Sequence, residues 1–249
     1  MLKHPLLTAL TLMTFHADLV NANEFSQPWE SPSAAIILDP YEKNKINWDE
    51  LQKDRKVVAI IHKATEGLRV DKEYQARMAE AKKRGYLWGS YHLGRPGNPI
   101  EQAEKYLSVI DASDSDLIAL DLEEISSNFM NLKDANEFIE YIAKKTNRIP
   151  ILYTNHSTTK KIISESSKDS IILKSPLWYA RFRREIPDFP IGGWKTYTIW
   201  QFSSEINCTT NVSCLYRVPG TAMDMDVNVF NGTITTLKEK WPLTPPFNP

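Results

Sequence analysis

The octet Leu117-Ile118-Ala119-Leu120-Asp121-Leu122-Glu123-Glu124 runs apolar from its start and breaks off at carboxylates. Successive side chains on a strand point to opposite faces, so Asp121 and Glu123 share a face with their Cα atoms about 7 Å apart. One member of such a pair can have its proton affinity raised by the other and donate a proton while its neighbour stays ionised. That division of labour suits cleavage of a glycosidic bond. An acid pair at a strand end also serves as a solvated loop start, a helix N-cap or a salt-bridge cluster, so the surrounding chain has to discriminate.

Outward from the octet, short apolar runs alternate with helix-like segments. Strands are expected near Ala35–Leu38, Val57–Ile61, Leu87–Tyr91, Leu117–Leu122, Pro150–Tyr153, Leu177–Ala180, Thr198–Phe202 and Met225–Phe230. Helical spacing of apolar residues marks Asp71–Arg84, which stops at Gly85, then Ile100–Ile110 and Leu132–Lys145. Arg181–Tyr197 contains Pro187, Pro190, Gly192 and Gly193 and has no helical period where a regular barrel would place a helix. The expected fold is α/β, a single irregular TIM-like β/α barrel with reduced helices in the second half. Residues 242–249 form a Pro-rich tail, expected to lie extended on the surface.

Parallel β/α barrels gather their active sites at the carboxyl ends of the strands. Applied to these eight runs, the rule selects Asp39, then Lys63 and Glu66, then His92, then Asp121 and Glu123. The later runs contribute Tyr153 and Asn155, Trp178 and Arg181, Gln201, and Asp226 near the last. Polar and aromatic groups thus recur at one end. Sugars present hydroxyls to carboxylates and apolar ring faces to aromatic side chains, and 7 Trp, 10 Tyr and 9 Phe can line such a groove.

The 249 residues carry 30 basic and 31 acidic groups, a balance with no electrostatic footprint for nucleic acid. At the N-terminus, Lys3 precedes an apolar stretch from Leu6 to Phe15 and a small-x-small site at Val20-Asn21-Ala22. This reads as a signal peptide over residues 1–22, cleaved near Ala22, with a short lead over 23–34. The protein is therefore expected to be exported, periplasmic or extracellular, and a monomer without stable membrane insertion. Cys208 and Cys214 would then form one disulfide pinning a surface loop, or remain free thiols if the chain is not exported. Asn155, Asn207, Asn211 and Asn231 head glycosylation sequons that matter only in a eukaryotic secretory pathway. Five His without an H-E-x-x-H motif, and no Gly-rich phosphate loop, give no sign of a metal or any other cofactor.

Six motifs carry a family resemblance: Lys63-Ala64-Thr65-Glu66-Gly67, Tyr91-His92, Leu120-Asp121-Leu122-Glu123, Leu177-Trp178-Tyr179-Ala180-Arg181, Trp200-Gln201-Phe202-Ser203 and Asp226-Val227-Asn228-Val229-Phe230. In order and spacing they resemble the glycoside hydrolase family 25 lysozymes over Ile36 to Phe230, so that residues 35–241 would be the catalytic barrel. The resemblance implies hydrolysis of the β-1,4 bond between N-acetylmuramic acid and N-acetylglucosamine in peptidoglycan. It implies Glu123 as general acid and Asp121 beside it, tuning that acid or steadying the substrate acetamido group. Asp39 and Asp226 would complete an acidic floor, with Lys63, Glu66, Tyr91, His92, Tyr153, Trp178, Arg181 and Gln201 binding substrate. A chitinase-type barrel is a weaker fit, because Ala119 stands where D-x-x-D-x-D-x-E needs an acid. The alternative from another class is a noncatalytic peptidoglycan-binding barrel.

Overall fold

The computed structural model describes residues 24–110 and 115–247; the expected leader over 1–22 lies outside them. Nine strands form one sheet: β1 (Ala34–Leu38), β2 (Val57–Glu66), β3 (Arg69–Val70), β4 (Leu87–Leu93), β5 (Leu117–Asp121), β6 (Ile151–Asn155), β7 (Leu177–Ala180), β8 (Ile199–Ser203) and β9 (Val227–Thr233). Their order is β1-β9-β8-β7-β6-β5-β4-β2-β3, and an added β1–β2 pairing closes eight of them into a barrel. Strand β3 is only a flap folded antiparallel onto β2. Every neighbouring pair around the barrel is parallel except those made by β9, which runs antiparallel to both β1 and β8.

Strand alternation separates two apolar layers. Ile37, Ile61, Leu117, Ile151, Ile199 and Phe230 fill the interior, interleaved with small Ala35, Ala59, Ala119 and Ala180. Ile36, Leu38, Ile60, Ile118, Leu120, Leu152 and Trp200 face outward to the helices. Full burial of each large aliphatic side chain stabilises the fold by about 1.5–3 kcal/mol. Gly89 allows the tightest interior approach: a Cβ built there would lie 2.8 Å from the Leu117 Cβ.

The outer layer comprises α1 (Trp48–Leu51), α2 (Tyr74–Lys83), α3 (Pro99–Val109), α4 (Leu132–Thr146), α5 (His156–Glu165) and α6 (Ile234–Lys240). Asparagine side chains cap α3, α4 and α5 through Asn98, Asn131 and Asn155, satisfying first-turn N–H groups. No helical period in the sequence marks α5, yet the Asn155 cap and buried Ile162 hold it in place. From β7 to β9 the connections carry no α-helix among the described residues, as the prolines and glycines there suggest. One of them holds the Cys208–Cys214 disulfide.

The C-terminal segment differs from the expected surface-lying end. Trp241 and Leu243 pack against the barrel-interior cluster alongside Leu237 of α6. Backbone bonds Ile149 N–H to Pro245 O (2.9 Å) and Phe247 N–H to Asn147 O (3.0 Å) tie it in just before β6. The reason is geometric: the barrel's amino-terminal end exposes apolar interior, and the tail residues cover it.

Candidate active site

Seven of the eight barrel strands deliver a side chain to one pocket at the opposite end. Asp39 follows β1, Tyr91 lies on β4, Asp121 ends β5 with Glu123 just beyond, and Tyr153, Trp178 and Gln201 come from β6, β7 and β8. Asp226 completes the lining from the position before β9. Because β9 runs against the others, its start, not its end, meets their carboxyl ends. The pocket encloses about 40 Å³, room for a few waters but not for a sugar ring, so a saccharide would lie across its mouth.

Beneath the mouth a hydrogen-bonded chain fixes the floor. Tyr153 OH donates to Gln201 Oε1 at 2.7 Å, and Gln201 Nε2 donates to Asp39 Oδ2 at 2.7 Å. Asn228 Nδ2 donates to Asp39 Oδ1 at 2.5 Å and to the Ile37 carbonyl at 3.0 Å, while its Oδ1 accepts from Trp178 Nε1 at 2.6 Å. Both Asp39 oxygens are thereby occupied by amide donors. Asp121 Oδ1, in contrast, is buried and has no hydrogen-bond partner.

Three carboxyls share this small space, and burial pushes each well above the usual carboxylate range. Asp226 raises Asp39 further, Glu123 raises Asp121, and Glu205 raises Asp226. Amide donation from Asn228 and Gln201 pulls Asp39 back in part. Glu123 stands at the rim, its side chain open to solvent as a whole. Partial desolvation nevertheless raises its carboxyl, against the pull of the Arg95 and Lys63 cations. The site thus holds a protonatable acid at its edge above a floor that retains protons.

Of the remaining expected residues, Lys63 is buried beside the pocket, 3.2 Å from Glu66 Oε2 and 4.7 Å over the Tyr41 ring. Burial opposes ionisation of Glu66, but Arg95, Arg69 and Lys63 surround it and bring its pKa down to about 2. Glu66 therefore acts as a fixed anion clasping β2 to the loop after β4. His92 does not reach the pocket. It is buried in the outer layer, stacked on Phe138 at 4.8 Å and hydrogen-bonded to Thr65 Oγ1 and Gln102 Oε1. Its neighbour Tyr91 takes the inward position, and adjacent strand residues cannot both face in. Arg181 also lies outside the lining, its guanidinium paired with Asp188 at 2.7 Å.

Two residues were not singled out by the sequence reading. Asn228 lies two residues after Asp226, on the same strand face, which is a signal that alternation could have supplied. Arg95 bonds Glu66 Oε1 at 2.7 and 3.1 Å and stacks over Phe129 at 4.8 Å, joining elements far apart in sequence. No local pattern announces it. Among the described residues, no group of three or more His, Cys, Asp or Glu could hold a metal ion, and no helix is long and apolar enough to cross a membrane.

Comparison with known proteins agrees with this geometry. The family model described as glycosyl hydrolases family 25 matches residues 39–210. The bacterial lysozyme from Streptomyces coelicolor superposes with a TM-score of 0.62 at 25% identity, covering 83% of this chain and 96% of that one. A family 25 lysozyme from Aspergillus fumigatus gives 0.65 at 24% identity, covering 83% and 98%. The spore cortex lytic enzyme SleM from Clostridium perfringens gives 0.66 at 22% identity, covering 83% and 70%. No protein of curated function matches the sequence.

Proposed function

The chain belongs to glycosyl hydrolases family 25, and from that premise we propose that it is a muramidase cleaving the β-1,4 bond between N-acetylmuramic acid and N-acetylglucosamine in peptidoglycan. The observation that carries this reading is the meeting of Asp39, Asp121, Glu123 and Asp226 with Tyr91, Tyr153 and Trp178 at one end of the barrel. Glu123 is the general acid: its raised pKa keeps a proton available at the solvent-facing rim, where a glycosidic oxygen would lie.

Asp121 is placed under the reacting sugar with one oxygen unpartnered. That oxygen is suited to accept the N–H of the acetamido group, turning the acetamido oxygen towards C1. The acetamido oxygen bonds to C1 as the C1–O bond to the leaving sugar breaks, and Glu123 gives its proton to the departing oxygen. As the acetamido nitrogen passes its proton to Asp121, a neutral oxazoline forms. Water then attacks C1 and its proton passes to the Glu123 carboxylate; as the bond from C1 to the oxazoline oxygen breaks, Asp121 returns its proton to the acetamido nitrogen, and the ring reopens with retained configuration. Asp39, held by two amide donors, and Asp226 complete an acidic floor whose carboxyl groups are suited to hydrogen-bond the sugar or position water.

Export after cleavage near Ala22 and a monomeric state complete the proposal; the disulfide, a bond of oxidising compartments, supports the export. The test is digestion of purified peptidoglycan with the mature protein and with Glu123→Gln, followed by borohydride reduction and mass spectrometry. Reduced muramic acid ends that vanish in the variant support the assignment. Reduced glucosamine ends would reassign the protein as a glucosaminidase, and binding without new ends would make it a noncatalytic wall-binding barrel.

A further inference from the structure

A second pocket opens on the same rim, on the outer side of α5, and plays no part in the chemistry above. It has a volume of about 350 Å³, within the range of small-ligand sites. Ile163, Phe189 and Ile191 give it an apolar wall, and Ile191 is 87% exposed, an unusual position for a large aliphatic residue. His156 and Lys160 line the other side, four residues apart on one face of α5. Asp188, the acid of the pocket, is committed to Arg181 at 2.7 Å. Lys160 makes no ion pair among the described residues. The pocket is thus apolar on one wall and carries an uncompensated cation on the other.

Its position ties it to the acid. Asn155 Nδ2 and Thr158 Oγ1, in the cap and first turn of α5, both donate to the Glu123 carbonyl, at 2.6 and 2.7 Å. Lys160 lies two residues past Thr158, about 3 Å further along the axis and on the opposite face of a helix about 10 Å across. We propose that this pocket binds the stem peptide of peptidoglycan, with Ile163, Phe189 and Ile191 against alanine methyl groups and Lys160 paired to a stem carboxylate. The inference rests on the muramidase reading, because in that reaction the sugar whose C1 reacts is the one that bears the peptide. Extended chain spans about 3.3–3.6 Å per residue, so three or four stem residues reach from the groove around the start of α5 to Lys160. The pocket therefore selects substrate by its peptide, separately from the glycosidic chemistry.

The test compares kcat/KM on soluble uncrosslinked glycan strands bearing stem peptides with that on the same strands stripped by an amidase, using the wild type and the Lys160→Glu variant. The wild type is expected to favour stem-bearing strands about tenfold, the worth of one partly shielded ion pair and a few apolar contacts. Lys160→Glu should bring the ratio close to one, and Ile191→Ser should reduce it to an intermediate value. Equal wild-type rates on the two substrates, or a preference unchanged in Lys160→Glu, would overturn the stem site while leaving the muramidase reading intact. Failure to cleave either substrate would overturn both.

Discussion

Replacing Asn228 with leucine tests the hydrogen-bonded floor directly, because one buried side chain there serves three partners. The substitution keeps the branched shape and heavy-atom count but leaves Trp178 Nε1 without its acceptor and removes one of the two donors to Asp39, along with a donor to the Ile37 carbonyl. An unsatisfied buried N–H costs about 1–3 kcal/mol, and a hydrogen bond to a charged group contributes about 1.5–3 kcal/mol. The added apolar burial of leucine returns about 1 kcal/mol, so the net loss at neutral pH should be about 3 kcal/mol. Urea unfolding followed by tryptophan fluorescence would read this as a midpoint lowered by on the order of 1 M. The loss should also depend on pH. Asp39 has a folded pKa above its unfolded value, so the folded chain holds the proton more tightly. Such a group removes stability as pH rises from the unfolded value through the folded one. Asn228 donation restrains that rise, so its removal should cost more at a pH above the folded Asp39 pKa than at one below the unfolded value. A loss below about 1 kcal/mol at both pH values would refute the argument from unsatisfied groups. Equal, larger losses would refute the role of Asn228 in stabilising the Asp39 charge.

Gly89→Val should destabilise the barrel by about 1–3 kcal/mol, because its Cβ has to enter space held by Leu117; an unchanged thermal midpoint would show that β4 and β5 can separate at no cost. Arg95→Met removes a cation that lowers both Glu123 and Asp121, so the alkaline limb of the kcat/KM profile should move to higher pH. A shift in the opposite direction would contradict Glu123 as the proton donor. The Cys208→Ser, Cys214→Ser double variant opens a loop of sequence separation 6 and should lose about 2 kcal/mol of stability by loop-closure entropy. Its peptidoglycan hydrolysis below the melting range should match the wild type, and a large drop in kcat would place the loop in the catalytic step.

Much of the barrel is legible because burial on both faces writes strands as apolar runs, and because the chain ends those runs on polar residues. The L-I-A-L-D-L-E-E octet shows both features at once. What escapes has identifiable physical causes. Helix α5 reads H-S-T-T-K-K-I-I-S-E, and its buried face is Thr158, Thr159 and Ile162, so the stripe is mostly threonine and does not stand out as apolar; its stability comes from a cap and from packing. His92 follows a strand expected to end at Tyr91, but β4 continues to Leu93, so His92 sits within it at an even, outward-facing position while Gly89 and Tyr91 face the interior. Arg95 is invisible in sequence because Glu66, Phe129 and Gln102, which define its place, meet it only after the barrel closes. The acids were found one by one, but the amide donors that position Asp39 required the fold.

The reversed direction of β9 has a consequence for how such a groove can vary. Two antiparallel neighbours need only a tight turn, yet residues 204–226 intervene between β8 and β9, leaving and returning on the catalytic side while Tyr216 reaches down to Asp54 just before β2. Barrel closure does not set the length of that excursion. Asp226 is anchored instead by its carbonyl to the Asp39 N–H (3.4 Å), and Asn44 holds the Asp224 carbonyl at 2.9 Å. The mostly exposed stretch 205–214 can therefore be lengthened, trimmed or exchanged as a cassette while Val218 and Met225 stay in the core and the acid at its root keeps its address.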